Sequence, residues 1–580
     1  MIDFVIIGAL SLVVVLLVFT NTILSPAPLE TGKLPPVRKY TQLTTSHVIF
    51  PPYSSPFPLV ADDSRLYFSD WSMGQLGMVQ LSRAGGEIVR TEDPFAETDA
   101  QVMHGLSLDR KSILLTNFMA LTGEPEFKLW LLPVVGGAPR LLGEGTDGAY
   151  SPDGSLLLYT DGYDDVYLGN ADMSDPRKLV TAPGKVHWTQ FSPDGRRVRM
   201  AVYGLAERPA IWEISMDGGA LHRLLPQWET IDHCCGSWTS DGKYYVFQAT
   251  HDNRTQLWAF READNEAGIE QSKPVQITTG ALDFRRPTVV DDGRRIFAIG
   301  WQLRGEVVHF ASTDKKFVTL PGFESTSAEW LSYSPDGKRV VFVSYPEGEL
   351  WRSEVDGSNR VRLTDPPLKA TDPSWSPDGR FLAFSGKLPD TPWQGYFMPS
   401  DGGAARPVTA DDHPEATPTW SADSRYLAFR GEGDERIQLL EIATGTITEL
   451  AGTEGLTWPK WSPDGRHLVA YCGDSLCVFD IESQSSQLLV EGMQIGDYFW
   501  SSDSQHVYLM DPFYFTLERS VHRLHRLDVR SRVIEKIAGV GSVRPAWGVW
   551  AMWVGVTPDG APMLLRDLSI HHIYALDWLP

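Results

Sequence analysis

Ten side chains suited to recognition crowd into five short stretches of the sequence. They are Trp228, Asp232 and His233 in "QWETIDHCCGSW", Arg285 and Arg286 in "LDFRRPTV", Asp372 in "DPPLKATDPSW", His413 and Glu415 in "ADDHPEATPTW", and Trp458 and Lys460 in "TEGLTWPKW". Guanidinium and ammonium groups hold carboxylates or phosphates, carboxylates hold amines, and indole rings stack on cations and apolar faces. That is the chemistry of binding a protein, peptide or glycan. Four of the five stretches end on a tryptophan that opens a recurring phrase, so the elements that position these residues are themselves repeated.

The phrase is clearest in "WSPDGRFLAF", residues 375–384, with "WSADSRYLAF" and "WSPDGRHLVA" further on. Aligned on the turn aspartate it occurs twelve times, at Asp63, Asp109, Asp153, Asp194, Asp241, Asp292, Asp336, Asp378, Asp423, Asp464, Asp503 and Asp559. The spacing stays near 45 residues, the length of one propeller blade. Proline presets φ at the first corner of the turn, aspartate bonds its own backbone, and glycine accepts positive φ, so the chain reverses between two strands. Arg110 replaces the glycine in one copy, where the turn is expected to be most distorted. The aromatic residue three places before the aspartate is expected to pack between neighbouring blades.

A strand follows each turn, then a third strand ending in Gly-Gly or Asp-Gly, then an outer strand ending in "RLL" or "RLT". Four short antiparallel strands make a blade, and rings close with four to eight of them. The expectation is an all-β chain of two six-bladed propellers after one N-terminal transmembrane helix. Residues 1–25 form the anchor, 26–37 a linker, 38–320 the first propeller and 321–580 the second. Residues 38–45 resemble an outer strand, and the last unit stops after its third. Pairing of the two is therefore expected, bringing the N-terminal strand to the second ring. The alternative is that residues 316–320 close the first ring.

Blades of this form resemble the TolB-like, WD-repeat-like propeller repeats of periplasmic proteins, over residues 40–580. A membrane span followed by such blades also resembles the sensory half of CadC-type membrane regulators. There a winged-helix domain precedes the span, whereas here Met1 stands three residues before it. The chain is therefore expected to be a propeller-only relative, unless its start lies upstream. The same blades form the propeller of prolyl-oligopeptidase-type peptidases, so a propeller hydrolase, lyase or peptidase-associated subunit is the rival class. A resemblance of fold does not settle function.

Catalytic motifs are missing. A hydrolase of that type needs serine on a G-x-S-x-G elbow, and no such pentapeptide occurs. "GDSL" at 473–476 matches the letters of a lipase nucleophile block but falls in a hairpin of the tenth blade. No H-E-x-x-H, paired C-x-x-C or EF-hand spacing occurs. The chain is expected to be no enzyme and to need no cofactor or metal. The ten recognition residues above are then placed on the loops around the channel mouths, with Trp228, Asp232, His233, Arg286, Asp372, Glu415, Trp458 and Lys460 as the binding set.

Net charge is −23, with no basic block to neutralise phosphates, which excludes nucleic acid as a partner of this chain. Residues 4–24 carry no charge and are long enough to span one hydrocarbon core. Lys33, Arg38 and Lys39 follow the span, which by charge alone would hold the rest in the cytoplasm. The TolB-like resemblance implies instead a single-pass inner-membrane protein with periplasmic propellers. Cys472 and Cys477 face each other across a short hairpin, as a bridge or as two buried thiols.

Overall fold

The short strands and tight turns fold into twelve four-stranded antiparallel sheets. The structure, a computed structural model, describes residues 34–579 except 46–58, 71–76, 92–93, 96–99, 120–125, 205–208, 218, 227, 229–231, 252–253, 263–272, 325, 390, 410–417, 431–434, 494, 512–522, 541–542, 547 and 550–551. The expected span at 4–24, its linker up to residue 33 and the candidates His413 and Glu415 lie outside the described residues. Among the described residues no helix is long and apolar enough to cross a membrane.

The repeated turn is a small hydrogen-bond device. In the copy at Asp378, Ser376 Oγ donates to Asp378 Oδ1 (2.7 Å), which also accepts the Arg380 N–H (3.0 Å). The Phe381 N–H in turn donates to Ser376 Oγ (2.9 Å), stapling the start of the next strand to the turn. These donors hold the carboxyl below the ordinary carboxylate range despite partial burial. Arg110 adopts φ 57° and keeps the same bonds, so its copy is not the distorted one. The first copy departs, because Asp62 rather than Asp63 accepts the turn N–H groups of Ser64 and Arg65 (both 2.6 Å), and so does the sixth, which turns through a short 3-10 helix at Asp291–Gly293. The aromatics tie blades together as expected. Trp375, Trp420 and Trp500 each donate their indole N–H to a carbonyl of the preceding blade, at Ser332, Ser374 and Lys460.

The inner strands Val60–Ala61, Ala100–Leu106, Asp147–Tyr150, Lys185–Phe191, Asp232–Trp238 and Asp283–Val290 neighbour one another in turn, and the last returns to the first. Ala328–Tyr333, Lys369–Trp375, Thr419–Trp420, Leu456–Trp461, Tyr498–Trp500 and Val554–Val556 close a second ring the same way. Each ring has six blades.

The rings exchange strands. Gly305–Ala311 does not pair with Arg295–Gln302, which precedes it in the chain. It pairs with Pro562–Asp567 in the second ring, with Lys316–Thr319 outside it. Ile570–Asp577 pairs in return with Arg295–Gln302 of the first ring, and Lys39–Gln42 lies outside that, with Lys39 opposite Asp577. The division at 320/321 is therefore corrected: strands on both sides of it complete a blade of the other half. The N-terminal strand does pair with the C-terminal one, but in the first ring rather than the second. Residues 316–320 serve the second ring, not the first. The physical reason is local equivalence. After Gln302 or Asp567 the chain needs the same two-residue connection whether it turns back or crosses over, and the connectors run side by side, Leu568 N–H to Arg304 O at 2.9 Å.

Candidate functional site

A bulge interrupts the inner strands at a constant place, six residues before the turn aspartate. There the ladder shifts register, and Trp188, Cys235, Arg286, Trp330, Asp372 and Trp458 take φ between 47° and 57°. A bulge re-aims its side chain, and positive φ in a non-glycine residue is a conformation that neighbours must enforce. Asp147, Asp497 and Trp553 occupy the same repeat position. Of these nine residues four are tryptophan and three aspartate, with Cys235 and Arg286 the exceptions.

In the second ring three blades bring charges together. Asp372 and Lys460 sit on inner strands with the Thr419–Trp420 blade between them, so their 3.6 Å pair reaches across the channel. Lys460 also pairs with Asp497 at 3.0 Å, and its ammonium lies 4.2 Å from the Phe499 ring centre. The three charged side chains keep 12–17% of their surface exposed. Burial favours the neutral amine, but the two carboxylates overcome it and hold Lys460 charged. Burial pushes Asp497 up, with Asp372 adding to the rise and Lys460 opposing it. A charged lysine is no nucleophile, so Lys460 acts here as a fixed positive charge. Tyr498 donates its hydroxyl to the Trp458 carbonyl, and the Trp458 ring stands 6.4 Å from Tyr471.

Glu329, wholly buried one residue before the bulge, accepts the Val549 N–H (2.7 Å) through Oε1, while Oε2 has no partner. Burial pushes its carboxyl up to about 8, so it is mostly protonated at neutral pH.

The first ring holds a different set. His104 Nδ1 meets Asp147 Oδ1 at 3.1 Å, and His104 Nε2 meets Thr116 Oγ1 at 2.7 Å. Hydroxyl, imidazole and carboxylate in series have the connectivity of a nucleophile relay. Here, though, Thr116 is 2% exposed, and Asp147 Oδ2 accepts the Thr189 N–H (3.1 Å), so the chain ties three blades together. Next along, a disulfide joins the adjacent Cys234 and Cys235, and the Tyr203 hydroxyl lies 3.7 and 3.9 Å from their sulfurs. Burial, with Asp232 adding, pushes Tyr203 up to about 12.

The expected residues fare unequally. Asp372, Trp458 and Lys460 meet in the second channel. Asp232 accepts the Thr250 N–H (3.1 Å), and the Arg286 N–H donates to Gln248 Oε1 (2.9 Å), both close to Tyr203 electrostatically. Trp228 and His233 do not join a site. The Trp228 ring packs on Trp258, Phe247 and His233, and burial drives His233 down to about 4, neutral at physiological pH. Glu415 lies outside the described residues. Cys472 and Cys477 are bridged (Cα–Cα 5.9 Å), and the hairpin between them is tighter than expected, with Ser475 already opposite Cys472. His104, Asp147, Trp188, Glu329 and Asp497 were missed. The signal for most of them was the fixed offset of six from each turn aspartate.

Residues 273–474 match the TolB beta propeller domain family. An uncharacterised protein of Agrobacterium fabrum is 32% identical over 331 residues, which cover 54% of this chain and 80% of that protein. The chain belongs to the TolB-like β-propeller family. Its similarity to the TolB homolog of Chlorobium chlorochromatii is 27% over 135 residues, 23% of this chain and 30% of that one. To the uncharacterised peptidase YuxL of Bacillus subtilis it is 34% over 105 residues, 16% of each. The chain thus spans less than a third of the length of these last two. Among solved structures, a TolB from Agrobacterium tumefaciens is 20% identical with a TM-score of 0.35, covering 48% of this chain and 99% of that one. The tricorn protease is 14% identical with a TM-score of 0.31, covering 81% and 49%. As a TolB-like propeller the chain is, at the coarse level, an interaction scaffold.

Proposed function

We propose that this TolB-like chain is a non-enzymatic recognition module. In this reading residues 4–24 anchor it in the cytoplasmic membrane, and both propellers stand on the periplasmic side as a sensor or scaffold. It binds a protein or peptide, or failing that a glycan, at the channel ends of its rings. The observation that carries this reading is the charged and aromatic lining that the bulges turn out of the inner strands, where Asp372, Lys460, Asp497 and Trp458 from different blades come together in one channel. Rigid frames with variable lining are how propellers recognise partners. Among the described residues no cysteine is free, which suits an oxidising compartment.

The decisive experiment is affinity capture from a membrane extract, comparing the full chain with Asp372→Asn/Trp458→Ala. A partner retained by the first and lost by the second supports the reading, and equal retention overturns the site. Turnover by the purified protein in a screen of peptides and glycosides would overturn the non-enzymatic reading. A phosphatase reporter fused to the C-terminus tests location, and an inactive fusion would refute the periplasmic placement.

A further inference from the structure

Arg285 is partly buried and, among the described residues, makes no direct ion pair, although Asp283 and Asp232 lie near enough to feel its charge. It lies between the fifth and sixth blades of the first ring, at the end where the inner strands start and the chain crosses to the second ring. Its guanidinium carbon stands 4.1 Å from the Trp301 ring centre, and Trp301 rests edge-on against His571 (4.7 Å). Nη2 makes one long hydrogen bond, 3.4 Å to Thr255 Oγ1, and the buried Nε has no partner. Two other inward-facing cations, the fully buried Arg199 and the partly buried Lys460, each hold two carboxylates. The two acids that face Arg285 are engaged elsewhere. Asp283 takes Arg254 Nε at 2.8 Å, and Asp232 takes the Thr250 N–H at 3.1 Å.

The next residue, Arg286, adds a second positive charge. Burial, and after it the charge of Arg285, pushes Arg286 down to about 9. Across the junction stands Tyr345 of the second ring, hydrogen-bonded to Ser569 and sensing the Arg285 charge. The acids near Tyr345 are also engaged: Asp567 accepts the Ser569 N–H at 2.8 Å and Glu329 the Val549 N–H at 2.7 Å. A partly buried guanidinium whose inner N–H finds no acceptor is poised to take an anion from outside the chain.

We propose that Arg285 receives the carboxylate of a ligand lodged at the junction of the two propellers, with Trp301 backing the guanidinium. Nε and Nη2 form one edge of the guanidinium, and two parallel N–H donors match the two oxygens of a planar carboxylate. The hydroxyls of Thr255 and Tyr345 are further donors beside it. The site goes beyond a general interaction role. It holds whether the carboxylate belongs to a free small acid or to a peptide terminus.

Thermal melts of the full chain test it at constant ionic strength, with acetate, succinate, a short peptide acid and the same peptide as its C-terminal amide, against a chloride control. At least one carboxylate raises the melting temperature by several degrees and saturates, and the amide does not. A response to acetate or succinate assigns a small acid, and a response to the peptide acid alone assigns a chain terminus. Arg285→Met abolishes the response and, by removing the unpaired charge, melts no lower than the native chain. Arg285→Lys, which keeps the charge but loses the fork, binds at least 10-fold more weakly. A response no larger than chloride's, an equal response from the amide, or an unchanged response in Arg285→Met overturns the proposal.

Discussion

Trp578→Ala reports on the strand exchange directly. Trp578 is 0% exposed and sits among Val37, Leu257, Ile296 and Leu576, with its ring T-shaped on Tyr244 (5.8 Å). Its indole N–H donates to the Pro35 carbonyl (2.8 Å) and its backbone N–H to Arg294 O (2.9 Å). All of these contacts except Leu576 are to residues below 300, on the first ring. Truncating a buried tryptophan to alanine costs about 3–5 kcal/mol, and leaving the Pro35 carbonyl unpaired adds about 1 kcal/mol. The sum of about 4–6 kcal/mol is a large part of a domain's stability of about 5–15 kcal/mol. At about 1.4 kcal/mol per tenfold, hydrogen-exchange protection falls by three to four decades where the side chain acts. The affected strands are Tyr244–His251, Arg254–Arg261 and Arg295–Gln302. Phe381–Lys387 and His467–Cys472, deep in the second ring, keep their protection. Mass spectrometry of exchanged peptides reads both. Loss of protection in Pro562–Asp567 and Gly305–Ala311, with the first ring unmoved, would refute the exchange.

Three further outcomes follow from the buried charges and the cross-link. Glu329 titrates near 8 when folded against 4.5 when free, so its contribution is fully present below pH 4.5 and is lost as pH rises through 8. Across that window the native chain loses on the order of 5 kcal/mol relative to Glu329→Gln, and parallel melting curves for the two from pH 4.5 to 9 would exclude this. Lys460→Met strands Asp372 and Asp497 in the channel and lowers stability by about 3–5 kcal/mol, which the added changes Asp372→Asn and Asp497→Asn largely restore. Urea denaturation checks it, and a Lys460→Met midpoint equal to native would discard the cluster as a charge network. Cys472→Ser opens a loop of only a few residues, so it costs about 2 kcal/mol, measured as a drop in melting temperature of a few degrees that a reductant reproduces in the native chain. No drop in either would show the bridge to be energetically idle.

Blade number and turn chemistry were legible because every copy must solve the same local problem: reverse the chain, cap the turn, bury an aromatic against the next blade. Strand partnership was not. A period counts strands and is blind to which sheet receives Gly305–Ala311, since a hairpin and a crossover present the same alternation. Of the charge cluster, Asp372 and Lys460 stood out as charges just before a repeated tryptophan, though they lie on the inner strands rather than on the loops expected. Their third member, Asp497, lies in the bland stretch "EGMQIGDYFW" and is drawn in only by the ring, which brings it 3.0 Å from Lys460. Trp228 and His233 lie apart from that cluster. Their types suit binding, but Phe247 and Trp258 offer the Trp228 ring a better place to bury itself.

The crossed strands also set a timetable. The second ring lacks its last blade until Pro562–Asp567 exists, and the first until Ile570–Asp577 does, so neither ring closes until long after Lys39–Gln42 has been made. At about 5–20 residues per second, synthesis leaves that strand waiting tens of seconds for its partner. Ten blades meanwhile stand complete but unringed, with the exposed flanks of the outermost ones available to other chains. A protein built this way gains no early, independently closed half, and it needs something to guard those flanks while it is being made.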